Sequence, residues 1–183
     1  QGADTSINQH LTADTRIRLA HFSVKEYLES ERISKSSAKQ FYLESATGHR
    51  ALSQSCLTYM RYYTTSPEKT LKHRDLETFP LLKYAAQSWF YHCALQQGGD
   101  PGREVSFLQN GQAKDDWLLV HNPDTPWNGP FEEDKFQAKV SSSAVYYASL
   151  LGLSVAVRSL LASGADVNAQ GGRYSSALQA AAM

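Results

Sequence analysis

The chain has 183 residues, of which 42% are hydrophobic and 11% aromatic, and this composition is that of a folded globular protein rather than a disordered one. Its formal net charge is zero, which disfavours a general basic surface for nucleic acid or membrane. It has no apolar run of the ~20 residues that a transmembrane helix needs, and its two cysteines favour buried free thiols over a disulfide.

The first predicted elements are a short strand and a capped helix. Residues 16–20 alternate polar and apolar side chains, which is typical of a half-buried strand. Ser23 followed three residues later by Glu26 forms a capping box. We therefore predict a helix that begins at Ser23 and ends near Arg32.

Helices also dominate the predicted middle of the chain. Apolar side chains recur at helical spacing over 48–63 and 81–96, and two shorter helices are expected at 105–108 and 116–120. The segment 64–78 is charged and predicts a solvated connector. Several prolines and a glycine between 121 and 133 favour a domain boundary there, with Trp127 docked against the helix that follows.

The C-terminal stretch 141–183 repeats itself. The segment Ser143–Ser149 returns as Ser176–Ala182, an offset of 33 residues, which is the period of a unit made of a turn and two helices. We predict helices over 143–151 and 154–163, ended by Gly152 and Gly164. An extended segment over 168–174 should connect the two copies.

Three stretches carry a family resemblance. Leu160–Ala169 (LLASGADVNA) resembles the ankyrin repeat, and Arg16–Leu28 (RIRLAHFSVKEYL) resembles the end of the winged helix that follows a NACHT nucleotide-binding module. Phe79–Trp89 (FPLLKYAAQSW) resembles a helix found between these two regions. The order is similar to that in fungal NACHT–ankyrin proteins, which are NLR-like signalling proteins.

The resemblance implies a mainly α fold and a domain order. Residues 1–33 would be the C-terminal part of the winged helix, 34–122 a helical linker domain, 123–140 a linker, and 141–183 one complete and one partial ankyrin repeat. Because about three repeats are needed for an independently stable array, we expect the chain to be an internal piece of a longer protein.

The function implied is regulatory rather than catalytic. The chain would couple an upstream nucleotide-binding module of the parent protein, an ATPase or GTPase that binds ATP or ADP, to ankyrin repeats that recognise a protein ligand. The alternative is a stand-alone ankyrin scaffold without nucleotide regulation. The expected partners are a protein ligand and the intramolecular NACHT domain, with no nucleic acid, membrane, metal or cofactor in the chain itself, and the expected location is the cytoplasm.

Three residues are candidate functional groups. By resemblance, His21 would sense the nucleotide phosphates, although a histidine at a strand end can equally well bond only a nearby carbonyl. Arg173 and Tyr174, between the two repeat copies, are the exposed groups expected to contact a protein ligand, with simple solvation as the alternative. Tyr146 and Gln179 stand where ankyrin repeats usually have histidine, so the usual hydrogen bond of that histidine should be missing. No G-x-S-x-G nucleophile elbow supports a serine hydrolase.

Overall fold

The computed structural model describes residues 22–96, 98–132 and 142–183, and every regular element in these ranges is helical. This confirms the predicted mainly α fold class. The chain divides into two compact units, Gln1–Glu44 and Ser45–Met183. The strand predicted at 16–20 lies outside the described residues.

The described part of the first unit contains two short helices, α1 (Phe22–Leu28) and α2 (Glu31–Ser34), followed by a 3-10 turn. The sequence predicted one continuous helix here, which is wrong. The Ser30 backbone N–H and hydroxyl both donate to the carbonyl of Tyr27, at 3.1 and 2.7 Å. This i to i−3 bonding tightens the last turn of α1 and ends it before α2 begins.

The second unit is built on an antiparallel helix pair. Its helices are α3 (Ser45–Thr65), α4 (Asp75–Thr78), α5 (Leu82–Leu95), α6 (Gly102–Gln109), α7 (Gly111–Val120), α8 (Ala144–Leu150), α9 (Ser154–Ala162) and α10 (Ala177–Ala181). The start of α3 meets the end of α5 at His49 and His92, and the end of α3 meets Phe79 through Tyr63. The predicted long helices are confirmed. The two short predicted helices are extended N-terminally into α6 and α7, and the Asn110 side chain caps α7.

Tryptophan side chains connect the helix pair to the C-terminal helices. Trp117 of α7 is fully buried, and its indole N–H donates to the carbonyl of Ala86 at 2.9 Å. The centre of its ring lies 5.4 Å from that of Trp89 in α5 and 5.8 Å from that of Tyr147 in α8, and both pairs are edge to face. Buried aromatic pairs of this kind stabilise a core beyond the area that they bury. One continuous core therefore spans α3 to α10.

The described part of the predicted linker at 123–140, residues 123–132, lies within this second unit. In its described part, Asp124 and Thr125 are each only 6% exposed. The backbone N–H of Phe131 donates to the carbonyl of Leu119 at 2.6 Å. The prolines fix turns here, but the chain stays packed against α7 and α8.

The connector between α3 and α5 is organised by a buried carboxylate that the sequence did not single out. Asp75 is 0% exposed and accepts hydrogen bonds from the Tyr63 hydroxyl, the Thr70 hydroxyl and the backbone N–H groups of Thr70 and Leu71. Burial alone would raise the pKa of Asp75, but these hydrogen bonds outweigh burial and lower it. Asp75 thus holds the connector folded while it stays ionised.

The C-terminal helices agree with the predicted repeat. Ser143 and Ser176 are the N-caps of α8 and α10, and each side chain accepts a hydrogen bond from the backbone N–H three residues on. Gly152 takes a φ of 67° directly after α8, which only glycine adopts without strain. The helices predicted at 143–151 and 154–163 are confirmed as α8 and α9.

Candidate functional site

The two residues predicted to contact a protein ligand lie in a tight turn between α9 and α10. The backbone N–H of Gly171 donates to the carbonyl of Ser175 at 2.9 Å, and Ser175 donates back to Gly172 at 3.3 Å. Arg173 and Tyr174 therefore lie at the tip of this turn. Arg173 is exposed, whereas Tyr174 is half-buried and packs against the core.

Hydrogen bonds to a buried tyrosine and a buried aspartate hold the turn in place. Tyr146 of α8 is 1% exposed, and its hydroxyl donates to the carboxylate of Asp124 at 2.5 Å. The same hydroxyl accepts the backbone N–H of Tyr174 at 3.2 Å, and the second carboxylate oxygen of Asp124 accepts the backbone N–H of Arg173 at 3.4 Å. We call these groups the Tyr146–Asp124 cluster.

The electrostatics of the cluster keep the tyrosine protonated. Burial raises the pKa of Tyr146, and the hydrogen bond to the Asp124 carboxylate raises it further. The hydroxyl is therefore a permanent donor to Asp124 near neutral pH. Tyr146 stands where the ankyrin resemblance implies a histidine, and its hydroxyl forms a hydrogen bond with Asp124.

The turn requires glycine at position 172, because its backbone lies close to the ring of Tyr146. Gly172 has a φ of 69°, and a Cβ atom there would overlap the ring of Tyr146, 2.5 Å from its hydroxyl oxygen. Any side chain at this position would push the turn away from α8. The positions of Arg173 and Tyr174 thus depend on Gly172 and Tyr146 together.

An exposed cation–π pair forms the outer surface of the turn. The Arg173 guanidinium carbon lies 4.8 Å from the centre of the Trp127 ring. Trp127 is 66% exposed, so the prediction that it docks against α8 is wrong. In the same segment it is Asp124 whose side chain is buried and bonds Tyr146 of α8. We call Trp127 and Arg173 the Trp127–Arg173 surface.

Arg173 is exposed as predicted, whereas Tyr174 is half-buried, and their contact with a protein ligand stays a prediction. Asp124 and the pairing of Trp127 with Arg173 were not predicted. The tyrosine at position 146 did indicate a missing partner, because a buried tyrosine hydroxyl in place of a histidine needs a hydrogen-bond partner of its own. His21, the predicted nucleotide sensor, lies outside the described residues. Its role stays a prediction.

A second polar cluster joins the start of α3 to the end of α5. Nδ1 of His49 lies 2.8 Å from Nδ1 of His92, and the Tyr84 hydroxyl lies 2.9 Å from Nε2 of His92. If Tyr84 donates to Nε2, His92 carries its proton on Nδ1 and donates it to His49. Burial lowers the pKa of His92, and His49 lowers it further. The lowered pKa favours the neutral form of His92, and its ring links α5 to α3 through His49.

The two cysteines are free, which confirms the prediction of free thiols. Burial and the nearby Glu104 carboxylate raise the pKa of Cys93 to about 12, so its thiol stays protonated and is a poor nucleophile. Cys93 and Gln96 border a cavity of about 220 Å³, closed on the other side by residues 152–156 at the start of α9.

Residues 22–96, 98–132 and 142–183 contain no group of three or more His, Cys, Asp or Glu side chains placed to hold a metal ion. In the same ranges, no helix combines the length and apolar character needed to cross a membrane.

The chain is similar to the azaphilone pigments biosynthesis cluster protein L of Monascus ruber, with 31% identity over 183 residues. The match covers 90% of this chain but 37% of the relative, so the chain spans little more than a third of that protein's length. No family model matches the chain, and no solved structure matches it.

This similarity corrects the functional prediction. A relative named for a biosynthesis cluster points to a biosynthetic role rather than to NLR-like signalling through a nucleotide-binding module. The motifs behind that prediction encode helix caps, small residues and turns. Such features determine local structure, and the same local structure serves unrelated functions.

Proposed function

We propose that the chain is a non-catalytic, protein-binding segment of a protein that takes part in the biosynthesis of a secondary metabolite. Its helical second unit presents the Trp127–Arg173 surface to a partner protein of the same pathway. The proposed location of the chain is the cytoplasm, and its proposed partner is a protein rather than nucleic acid or a membrane. The C-terminal helices act as an ankyrin-like repeat that carries the binding turn.

The biosynthetic part of the proposal rests on the Monascus ruber relative, whose name assigns it to a pigment cluster. The chain matches about a third of that protein, so the activity of the whole protein is part of the proposal. Biosynthetic clusters need proteins that bring enzymes together as well as enzymes.

The binding part rests on one observation, the exposed Trp127–Arg173 pair held over a buried hydrogen-bond cluster. Tryptophan and arginine are enriched among the residues that dominate binding energy at protein interfaces. Large exposed side chains usually lose rotamer entropy when they bind. Trp127 and Arg173 are already in contact with each other, and the backbone N–H of Arg173 is bonded to Asp124. Less entropy is therefore lost on binding.

Site-specific photo-crosslinking in living cells of the source organism tests the binding role. A benzophenone amino acid replaces Trp127 in one strain and Tyr91 in a control strain. Tyr91 is a matched control because it is an exposed aromatic residue, 58% exposed, on α5. We expect a crosslink from position 127 to a protein encoded in the same gene cluster, and none from position 91. Equal labelling at both positions, or none at 127, would contradict the proposal.

Metabolite analysis tests the biosynthetic role separately. Deletion of the gene should lower the yield of the cluster's product, and Arg173→Ala should lower it in the same direction. Tyr91→Ala should leave the yield unchanged. A deletion strain with normal metabolite levels would show that the chain has no biosynthetic role, whatever it crosslinks to.

A further inference from the structure

The guanidinium of Arg173 has no acidic partner within the described residues. The ion pairs there join Lys25 to Glu29, Lys35 to Glu31, and Lys69 to Asp116. The carboxylate of Asp124 accepts hydrogen bonds from the Tyr146 hydroxyl and from the backbone N–H of Arg173, and not from the Arg173 side chain. Among residues 22–96, 98–132 and 142–183, Arg173 is thus a surface cation that forms no ion pair.

The Arg173 side chain offers hydrogen-bond donors next to an exposed aromatic ring. Arg173 is exposed, and its guanidinium carbon lies 4.8 Å from the centre of the Trp127 ring. The five N–H groups of a guanidinium lie in one plane, and two of them together match the two oxygens of a carboxylate. The surface therefore combines a donor for a carboxylate with an apolar ring beside it.

We propose that the Trp127–Arg173 surface binds an aspartate or glutamate side chain of the partner protein, with an apolar residue next to that acid packed on the exposed part of the Trp127 ring. This inference rests on the proposed protein-binding function and names the chemistry of the partner. The carboxylate accepts two hydrogen bonds from the guanidinium. The indole ring, 66% exposed, supplies the apolar contact beside it.

A phosphorylated segment is the competing occupant, and the structure favours the carboxylate. Phosphopeptide sites use clusters of arginines to neutralise a doubly charged group. In the described part of the chain, Arg173 is the only cation stacked on Trp127. The nearby Lys114 donates to the carbonyl of Ser142 and lies over the ring of Tyr147, so its ammonium is already engaged.

The test uses the 183-residue chain and three synthetic peptides, followed by NMR of the indole N–H of Trp127. The acidic peptide is acetyl-Gly-Leu-Asp-Glu-Leu-Gly-amide. The second peptide replaces the acids by Asn and Gln, and the third replaces both by phosphoserine. Trp127→Phe identifies the indole resonance, because Trp89 and Trp117 are buried and keep theirs.

We expect the acidic peptide to shift the Trp127 resonance saturably, and the amide peptide to bind about tenfold more weakly or not at all. Arg173→Gln should reduce acidic-peptide affinity about tenfold or more, and Arg173→Lys should reduce it less, because a lysine keeps the charge but loses the fork. Both variants keep the backbone N–H that bonds Asp124. Equal binding of acidic and amide peptides, tighter binding of the phosphoserine peptide, or full affinity in Arg173→Gln would overturn the inference.

The outcome is distinguishable from failure of the proposed function. A cluster protein crosslinked at position 127, together with no preference for the acidic peptide, would retain the protein-binding role and reject the carboxylate. Acidic-peptide binding that depends on Arg173, without any crosslinked cluster protein, would retain the carboxylate site and reject the biosynthetic partner.

Discussion

Removal of one oxygen atom from Tyr146 should destabilise the second unit measurably. Tyr146→Phe keeps the ring, which is 99% buried, so the packing of α8 is retained. It leaves the Asp124 carboxylate without its shortest hydrogen bond, worth about 1.5–3 kcal/mol for a charged acceptor, and the N–H of Tyr174 without its acceptor. We expect the free energy of unfolding to fall by about 3 kcal/mol.

Urea denaturation followed by tryptophan fluorescence measures this change, because Trp89 and Trp117 report on the core. With a slope of about 2 kcal/mol per molar urea, the midpoint should fall by about 1.5 M. The matched control is Tyr62→Phe, since Tyr62 is 57% exposed and removal of its hydroxyl should cost less than about 0.5 kcal/mol.

A double-mutant cycle gives the refuting result. If the two groups bond as described, Tyr146→Phe and Asp124→Ala should be coupled by at least about 1 kcal/mol. Additive effects, or a Tyr146→Phe variant as stable as the parent chain, would show that the hydroxyl does not carry the Asp124 bond and would contradict our account of the turn.

Three further changes test other parts of the fold. Gly172→Ala should displace the binding turn from Tyr146 and strain a positive φ. We expect the free energy of unfolding to fall by about 2 kcal/mol and the Trp127 indole resonance to shift. Unchanged spectra would contradict the close approach of Gly172 to Tyr146. Asp75→Asn should cost about 3 kcal/mol because a buried acceptor of several hydrogen bonds becomes partly a donor, and native stability in this variant would refute the role of Asp75 in the connector. The pKa of His92 is lower in the folded chain than its ordinary value, so the unfolded chain binds more protons below pH ~6.5, and stability should fall as pH falls from there towards the folded pKa, by at most about 1.4 kcal/mol per pH unit. His92→Asn should flatten this dependence in urea titrations at several pH values, and an unchanged slope would show that another group causes it.

The motifs in this sequence predict local structure but do not determine function. The 79–89 stretch predicted a helix that forms as α5 over Leu82–Leu95, whereas Ser23, predicted as a helix cap, lies inside α1. A helix with a buried apolar stripe has the same physical requirements in a signalling protein and in a biosynthetic one. Similarity over most of the chain to a pigment-cluster protein therefore changed the functional conclusion without changing the helices.

The sequence by itself determined the long helices and the repeat. The apolar periodicity over 48–63 and 81–96 predicted α3 and α5, and Gly152 was recognisable as a helix end, because helical spacing and positive φ depend on groups a few residues apart. Arg173 was predicted to be exposed between the two repeat copies, and it is exposed.

Only the tertiary structure decided which distant groups meet. Asp124 lies 22 residues before Tyr146 in a proline-containing segment that looked like a linker, yet its carboxylate is the acceptor that fixes the binding turn. Trp127 was expected to be buried and is instead the exposed ring beneath Arg173. A period or a cap is a local pattern, whereas the pairing of a buried donor with an acceptor depends on how the helices pack, and no spacing in the sequence encodes that contact.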